Sequence, residues 1–182
     1  NLAIVPKAFA FDFLLYCQRN PKPCPILEVL EPGITSPSLT CANADIRYDV
    51  PSYNIYRNGR LSESCRNLSN SWSTELVSFL IGCSFSFETA MKDAYIPLRH
   101  QELGCNVPMF ITSIPTTPAG IFSGPLVVSM RPVNRGLISK AVQVTSRFPD
   151  THGAPIHIGS PLSIGINDIY KPDFGDPVPV RS

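Results

Sequence analysis

The sequence predicts a mixed α/β fold, because short apolar runs typical of strands alternate with segments in which apolar residues recur at helical spacing. Hydrophobic residues make up 43% of the 182 residues and charged residues 16%, a balance that supports a folded core and excludes a disordered chain. The 19 prolines and 11 glycines are spread along the chain, so we interpret them as turns between short elements rather than as one linker.

We expect two domains. The larger one, a three-layer α/β/α-type domain, is predicted to comprise residues 1–107 and 166–182. A small two-layer ββαβ domain is predicted to be inserted at residues 108–165. The patterns that indicate the inserted domain are strands over Met109–Ile114 and Leu126–Met130, a helix between Asn134 and Phe148, and a last strand at Pro155–Ile158.

Proline and glycine delimit the first elements of the larger domain. A strand at Leu2–Val5 is followed by a helix from Pro6 or Lys7, and that helix ends near Asn20-Pro21 because the residue before a proline is disfavoured in a helix. A second strand is predicted at Ile26–Val29, where an apolar run precedes a proline and a glycine.

A β-hairpin is predicted further along the chain. Asn58-Gly59 separates the runs Tyr53–Tyr56 and Leu61–Ser64, and both turn residues tolerate positive φ. Two helices are expected after the hairpin, one capped by Ser71 that carries Leu76, Phe79 and Leu80 on its apolar face, and one from about Phe85 to Ala94.

Charge and segment length exclude several functions. The net charge is +1 and no basic run occurs, so no nucleic-acid partner is predicted. The most apolar candidate for a membrane span, Ala8–Cys17, is short and contains Asp12, whereas a span needs about 20 residues. The start lacks the basic region of a signal peptide, and the missing initiator methionine predicts a fragment or a processed chain.

The six cysteines are spread along the chain and form no Cys-x-x-Cys pair, which excludes a zinc ribbon or a redox motif of that kind. We expect them to be reduced thiols, most of them buried. His152 and His157 are spaced so that they could share a metal, but no third ligand is indicated. The sequence therefore predicts no metal and no cofactor.

The first constellation that could carry chemistry is Gly82-Cys-Ser84 followed by Glu88. A glycine break before a helix start presents free backbone N–H groups, which bind a carboxylate readily. Glu88 in the first helical turn is either a favourable partner of the helix dipole or a general acid or base. Cys83 is either a structural thiol or a reactive one.

The second constellation is Arg99-His100 with Asn106. Arginine offers a planar fork of donors that matches a carboxylate, and histidine can carry a proton near neutral pH. An exposed loop pair without function explains the same residues equally well.

The third constellation follows the strand at Leu126–Met130. Alternation places Ser129 and Arg131 on one face, opposite Met130. Arg147 follows a helical pattern, where a cation also favours the helix dipole. His157 lies within a predicted strand and is as well explained as a hydrogen-bonded core histidine as by catalysis.

None of these features is a diagnostic catalytic motif, because the chain has no Gly-x-Gly-x-x-Gly, no P-loop, no Gly-x-Ser-x-Gly and no His-Glu-x-x-His. The residues alone therefore support a carboxylate-binding pocket. Its members come from both predicted domains, which indicates a site at the boundary between them.

Longer strings resemble the D-glutamate cyclase family, whose bacterial members often carry hydro-lyase names. The resemblance covers nearly the whole chain, and the strings follow in order. The main ones are Cys17-Gln-Arg-Asn-Pro-Lys-Pro-Cys-Pro25, Phe79-Leu-Ile-Gly-Cys-Ser-Phe-Ser-Phe-Glu88, Gly124-Pro-Leu-Val-Val-Ser-Met-Arg-Pro132, Ser146-Arg-Phe-Pro149, His152-Gly-Ala-Pro-Ile-His-Ile-Gly159 and Pro172-Asp-Phe-Gly-Asp-Pro177. Family members continue past the last string, so the resemblance implies that the larger domain is truncated after Ser182.

The resemblance implies a lyase that interconverts D-glutamate and 5-oxo-D-proline plus water. That chemistry needs a base for the amine, an acid for the departing oxygen, a carboxylate anchor and donors for an oxyanion. Within the matching strings we assign Glu88 as the acid and His157 or His100 as the base. The residues assigned to substrate binding are Cys83, Ser84, Asn106, Ser129, Arg131, Arg147 and His152, with Arg131 or Arg147 as the carboxylate anchor.

Two alternatives remain at this point. One is a hydro-lyase or cyclic-amide hydrolase for another small acid, and the other is a non-catalytic module that binds a small carboxylate. The expected partner is a small carboxylate in either case, with a homo-oligomer left open. The resemblance implies an intracellular protein, in the mitochondrial matrix of an animal or in the cytoplasm of a bacterium.

Overall fold

The computed structural model describes residues 1–180, and within them the chain forms seven β-strands in three antiparallel sheets, four α-helices and four short 3-10 helices. The predicted mixed α/β fold is confirmed. The strands are β1 (Leu2–Pro6), β2 (Ile26–Leu30), β3 (Tyr53–Arg57), β4 (Arg60–Cys65), β5 (Leu76–Ile81), β6 (Met109–Pro115) and β7 (Pro125–Ser129). The α-helices are α1 (Lys7–Arg19), α2 (Glu88–Asp93), α3 (Arg99–Glu102) and α4 (Ile138–Thr145).

The chain divides into two compact units, one of Asn1–Phe11 with Ile26–Ile81 and one of Asp12–Pro25 with the residues from Gly82 onward. The predicted domain boundaries at residues 107 and 166 stay a prediction. No helix within residues 1–180 is both long and apolar enough to cross a membrane.

The first unit contains a three-stranded sheet in the order β1-β5-β2, with β5 bonded to an antiparallel neighbour on each side. The predicted helix after Ser71 is wrong, because residues 76–81 form this central strand. Val77, Ser78 and Phe79 are consecutive buried residues. Spacing in a short apolar run does not distinguish a helix from a strand that is covered on both faces, and pairing with two strands decides the outcome here.

The predicted hairpin is confirmed. β3 and β4 pair in antiparallel register, and the turn residues Asn58 and Gly59 have φ of 52° and 73°. Asparagine and glycine are the two residues that adopt this left-handed backbone with the least strain, which explains why the turn falls at this dipeptide.

A buried carboxylate organises a loop of the first unit. Glu28 of β2 is 6% exposed, and its oxygens accept hydrogen bonds from the backbone N–H groups of Ser38, Leu39 and Thr40 at 2.7 to 3.2 Å. The hydroxyls of Ser38 and Thr40 also donate to it. Although burial acts to raise the pKa of Glu28, these hydrogen bonds lower it from 4.5 to about 2.

We therefore expect the stability of this unit to depend on pH through Glu28. A carboxyl group whose folded-state pKa is depressed stabilises the fold above its unfolded pKa, and this contribution is lost as the pH falls from about 4.5 toward 2. Glu28→Gln should lower stability at pH 7, and its difference from the unmodified protein should shrink across that window. Urea unfolding at several pH values, followed by the fluorescence of the single tryptophan Trp72, measures the effect.

Glu31→Gln is the matched control, because Glu31 is exposed three residues away on the same segment. A stability difference for Glu28→Gln that stays constant from pH 7 to pH 2 would show that ionised Glu28 does not hold the loop.

The second unit contains the β6-β7 pair, as predicted, together with α2, α3 and α4. The helix expected between Asn134 and Phe148 is present as a 3-10 turn at Arg135–Leu137 followed by α4. An apolar core joins α2 and α4, and its buried members are Phe87, Met91, Ile96, Leu98 and Ala141.

The predicted strand at Pro155–Ile158 is wrong, because these residues form no strand and pair with none in the described chain. Ile156 and Ile158 are exposed. Gly153 and Gly159 flank the segment with φ of 66° and 117°, values outside the strand region. The last strand of the expected ββαβ unit is therefore missing, and His157 lies in a loop.

All six cysteines are free thiols. The expectation that most of them are buried is wrong, since Cys17 is the one that is buried, at 1% exposure, and Cys41 is exposed. Their positions in loops and at element ends explain this, because such segments lie at the surface.

Candidate active site

A close backbone contact positions the segment that leads to Ser84 and Glu88. Gly82 packs against the 3-10 turn Pro149–Thr151 so tightly that a Cβ at residue 82 would lie 1.9 Å from the backbone oxygen of Asp150. Any side chain here would force one of these segments to move. A 3-10 helix, Ser84–Phe87, follows and leads directly into α2, so that Ser84 and Glu88 lie one turn apart.

Arg131, two residues beyond the end of β7, reaches both of these residues. Its Nε and Nη2 donate to Oε1 of Glu88 at 2.9 and 2.5 Å, and Nη2 also donates to the Ser84 hydroxyl at 3.0 Å. Its Nη1 donates to the Ser129 hydroxyl at 2.9 Å. The guanidinium also stacks over the Phe87 ring, 5.1 Å from its centroid. Four of its five N–H groups are engaged in these bonds.

The Glu88 carboxylate is the centre of the cluster. The side chains of Glu88 and Arg131 are 6% and 9% exposed, so this ion pair is almost completely removed from water. Gln101 of α3 donates to Oε2 of Glu88 at 2.6 Å. A buried carboxylate needs such partners, because an unpaired charge in this position costs several kcal/mol, of the order of 3–5.

His100 lies against the same carboxylate and is 5% exposed. Its Nε2 is 3.1 Å from Oε1 of Glu88. The two atoms are not aligned for a hydrogen bond, so Nε2 has no hydrogen-bond partner among residues 1–180. Buried polar atoms are nearly always paired, and an exception next to a cavity is typical of a group that works on a ligand.

A cavity of about 330 Å³ opens beside this cluster, large enough for a small metabolite. All of its lining belongs to the second unit. The lining residues are Phe85, Glu88, Thr89, Lys92, His100, Gln101, Cys105 and Asn106. Lys92 is the cation of the wall, and it is exposed. The cavity therefore combines an imidazole, an ammonium group and amides, a set of groups that suits a small carboxylate.

Six of the predicted site residues come together in this part of the second unit. Asn106 lines the cavity. The Arg131 cluster unites the other five, which are Ser84, Glu88, His100, Ser129 and Arg131. The structure places residues from both sides of the predicted boundary at residue 107 in one compact unit.

The other predicted site residues lie outside the cavity lining. His152 Nδ1 donates to the Lys22 carbonyl at 2.9 Å, and His157 Nε2 donates to the Ser160 carbonyl at 2.8 Å. Arg147 is exposed just beyond α4, and Cys83 precedes the 3-10 helix without lining the cavity. One ring nitrogen of each histidine is therefore bonded to a backbone carbonyl.

Two other expectations also change. The Gly82 N–H already donates to the Pro25 carbonyl at 2.9 Å, which removes it from the free donors expected at this break. The Arg99 guanidinium is partly occupied, because its Nη1 donates to Glu102 at 2.9 Å, while its buried Nε has no hydrogen-bond partner within residues 1–180.

Sequence reasoning missed several members of the site. Lys92 lies four residues after Glu88 on α2, so helical spacing from Glu88 could have identified it. Gln101 gave no such signal, because its role depends on a contact between α3 and Glu88 that no spacing predicts. Within residues 1–180 no group of three or more histidine, cysteine, aspartate or glutamate side chains could hold a metal ion.

Comparison with known proteins gives the site a family context. A sequence model described as D-glutamate cyclase matches residues 77–182. The chain is 58% identical to a protein of Geobacillus kaustophilus and 56% identical to one of Bacillus licheniformis, over its whole length and 69% of theirs. A protein of Bordetella petrii is 56% identical with the same coverage. All three are provisionally named as hydro-lyases.

The names of these relatives support hydro-lyase as the general class of this protein. The chain belongs to the D-glutamate cyclase family. It spans about two thirds of the length of these relatives. The relatives are bacterial, so they give no support to the mitochondrial location considered above.

Proposed function

We propose that this chain acts as a hydro-lyase that interconverts D-glutamate with 5-oxo-D-proline and water, in the cavity beside Glu88 and His100. The observation that carries the proposal is His100, a 5% exposed imidazole that lines the cavity and whose Nε2 lacks a hydrogen-bond partner among the described residues. Family membership and the names of the relatives support the reaction class.

The reaction moves protons but no electrons. Ring closure forms a bond between the α-nitrogen and the γ-carboxyl carbon and breaks one carbon–oxygen bond. Two hydrogens of the ammonium group leave with that oxygen as water, so there is no net release of protons and no need for an oxidant. A group that takes a proton from nitrogen and delivers it to oxygen therefore serves both halves of the reaction, and imidazole suits this task.

We assign that proton transfer to His100, and we change the role of Glu88. The Glu88 oxygens accept hydrogen bonds from Arg131 and Gln101. Protein donors therefore occupy both oxygens of the Glu88 side chain. Glu88 is therefore a positioning residue in this proposal. Its Oε1 lies 3.1 Å from Nε2 of His100, so Glu88 fixes the position of the ring that transfers the proton.

The substrate carboxylate that does not react needs an anchor. Arg131 has most of its N–H groups occupied, and Arg147 lies outside the cavity. We assign the anchor to Lys92, together with Asn106, which also lines the cavity. An ammonium group attracts a carboxylate as a point charge and tolerates the small movements that ring closure requires.

The experiment that tests the function is a turnover assay with separate enantiomers. The protein is incubated with D-glutamate, L-glutamate, or 5-oxo-D-proline, and the products are quantified by chiral chromatography. We expect conversion between D-glutamate and 5-oxo-D-proline in both directions, with Lys92→Gln raising KM more than it lowers kcat. Arg135→Gln is the control, because Arg135 is exposed and does not line the cavity.

An absence of turnover in both directions contradicts the proposed reaction. If calorimetry then shows binding of either compound, the chain is a carboxylate-binding module. Turnover of a different small acid would keep the hydro-lyase class and replace the substrate.

A further inference from the structure

A free thiol belongs to the wall of the cavity beside Glu88. Cys105 lines this cavity, which has a volume of about 330 Å³, and it forms no disulfide. The other five cysteines lie outside the lining. The proposed ring closure of glutamate uses no thiol and therefore gives Cys105 no role.

The turn that ends α3 fixes the position of Cys105. The N–H of Gly104 donates to the Gln101 carbonyl at 3.1 Å, and the N–H of Cys105 donates to the His100 carbonyl at 3.0 Å. These two bonds, with Gly104 at a φ of 64°, form a Schellman motif, a common C-terminal cap of helices. The motif places Cys105 just beyond the helix that carries His100, and both residues line the cavity.

Polar groups around Cys105 indicate that the cavity binds a polar ligand. The His100 side chain is 5% exposed, and its Nε2 has no hydrogen-bond partner within residues 1–180. Oδ1 of Asn106 accepts from the Val107 N–H at 2.9 Å, which leaves the amide N–H groups of this side chain as donors. Lys92 adds an ammonium group to the same lining. Amide donors with one positive charge favour a small carboxylate, which would share the cavity with Cys105.

We propose that Cys105 is a covalent capture site for small carboxylic acids that carry an electrophilic carbon close to the carboxylate. The proposal rests on the carboxylate-binding cavity of the proposed function, with Lys92 as the anchor. Binding of the carboxylate raises the local concentration of the electrophile at the thiolate, which is the nucleophilic form of cysteine.

The reaction needs no oxidant and no cofactor. With an α-halo acid, the thiol loses its proton to water, the sulfur attacks the α-carbon, a carbon–sulfur bond forms, and the carbon–halogen bond breaks so that halide leaves. With an α,β-unsaturated acid, the sulfur adds to the β-carbon, and the α-carbon takes up a proton from water. Either product is a stable thioether on Cys105 that blocks the cavity.

The test compares two alkylating reagents that differ in charge. Iodoacetate carries a carboxylate, whereas iodoacetamide is neutral and of nearly the same size. The folded protein is treated with either reagent for increasing times, the remaining thiols are blocked with N-ethylmaleimide after denaturation, and tryptic peptides are quantified by mass spectrometry. Cys105 is the one cysteine of the tryptic peptide 100–135, because trypsin does not cut between Arg131 and Pro132.

Cys65 is the reference thiol. It is partly exposed like Cys105 and is followed by Arg66, so a cation is near it without the cavity. Its tryptic peptide, residues 61–66, contains no other cysteine. We expect the ratio of the iodoacetate rate to the iodoacetamide rate to be about two- to fivefold higher at Cys105 than at Cys65, the range that an exposed ion pair supplies. High salt should reduce this excess, because it screens the attraction to Lys92.

A lysine variant and its control identify the source of the selectivity. Lys92→Gln should remove the excess at Cys105, whereas Lys171→Gln should keep it, because the Lys171 side chain is exposed and lies outside the cavity lining. Equal ratios at Cys105 and Cys65 in the unmodified protein overturn the proposal, and so does an excess that Lys92→Gln leaves unchanged.

The capture site and the proposed reaction can fail separately, because labelling is measured without turnover. Turnover of D-glutamate without selective labelling of Cys105 refutes the capture site alone. Selective labelling without turnover refutes the reaction alone and leaves a carboxylate-binding cavity with a reactive thiol.

Discussion

Replacement of Arg131 by methionine is expected to destabilise the protein by about 3–5 kcal/mol, because it leaves the buried Glu88 carboxylate without its charged partner. The side chains of this pair are 9% and 6% exposed, so water does not compensate for the loss. Thermal unfolding followed by circular dichroism, with urea titration at 25 °C, measures the change. Turnover should fall as well, because Glu88 would no longer be held against His100.

A double variant distinguishes this explanation from a simple loss of packing. Arg131→Met combined with Glu88→Gln removes both charges, and we expect it to recover a large part of the lost stability. We expect Arg131→Lys to retain less of the original stability than the double variant recovers, because an ammonium group cannot reproduce the two bonds to Oε1 of Glu88. Arg147→Met serves as the control, since this arginine is exposed and its loss should change stability by no more than about 0.5 kcal/mol. Equal stability of the single and double variants would refute the role of the ion pair.

Replacement of His100 by glutamine is expected to lower kcat for D-glutamate by about 10²- to 10⁴-fold, the range that general acid–base groups supply. Glutamine keeps a polar side chain of similar reach but cannot exchange a proton with the substrate. We therefore expect binding of 5-oxo-D-proline, measured by calorimetry, to change much less than turnover. A drop in kcat below about tenfold would remove His100 from the proton transfer.

Replacement of Gln101 tests whether Glu88 positions His100. Gln101→Leu removes the donor to Oε2 of Glu88 and leaves the imidazole in place. If Glu88 acts through His100, this variant should lose part of kcat and change the pH profile of the remaining activity. A purely structural role would lower stability and leave the pH profile unchanged.

Local sequence patterns predicted much of the fold. Prolines that end an element, turn residues and short apolar runs predicted several of its elements. These are strand β1, helix α1, the hairpin at Asn58-Gly59 and strands β6 and β7. The same reasoning failed at residues 76–81 and at Pro155–Ile158. In the first case the apolar spacing fitted both a helix and a buried strand, and in the second the segment has no neighbour with which to pair.

The site was predictable to the extent that its members lie on regular elements. Alternation along β7 correctly placed Ser129 and Arg131 on one face, where they now share a hydrogen bond. Spacing could not distinguish His100 from His157, because it does not show which of them lies against Glu88. In the structure His100 is buried beside Glu88, whereas His157 makes an exposed loop contact, and on this difference we base the proposal for His100.

The chain has three histidines, and this allows a direct test of the central claim that D-glutamate reacts beside His100. The measurement is the rate of 5-oxo-D-proline formation by His100→Gln, His152→Gln and His157→Gln, assayed side by side with the unmodified protein. We predict a loss of at least about 10²-fold for His100→Gln and near-normal rates for the other two variants. A large loss for His157→Gln or His152→Gln, with His100→Gln close to normal, would contradict the account and move the reaction to another part of the molecule.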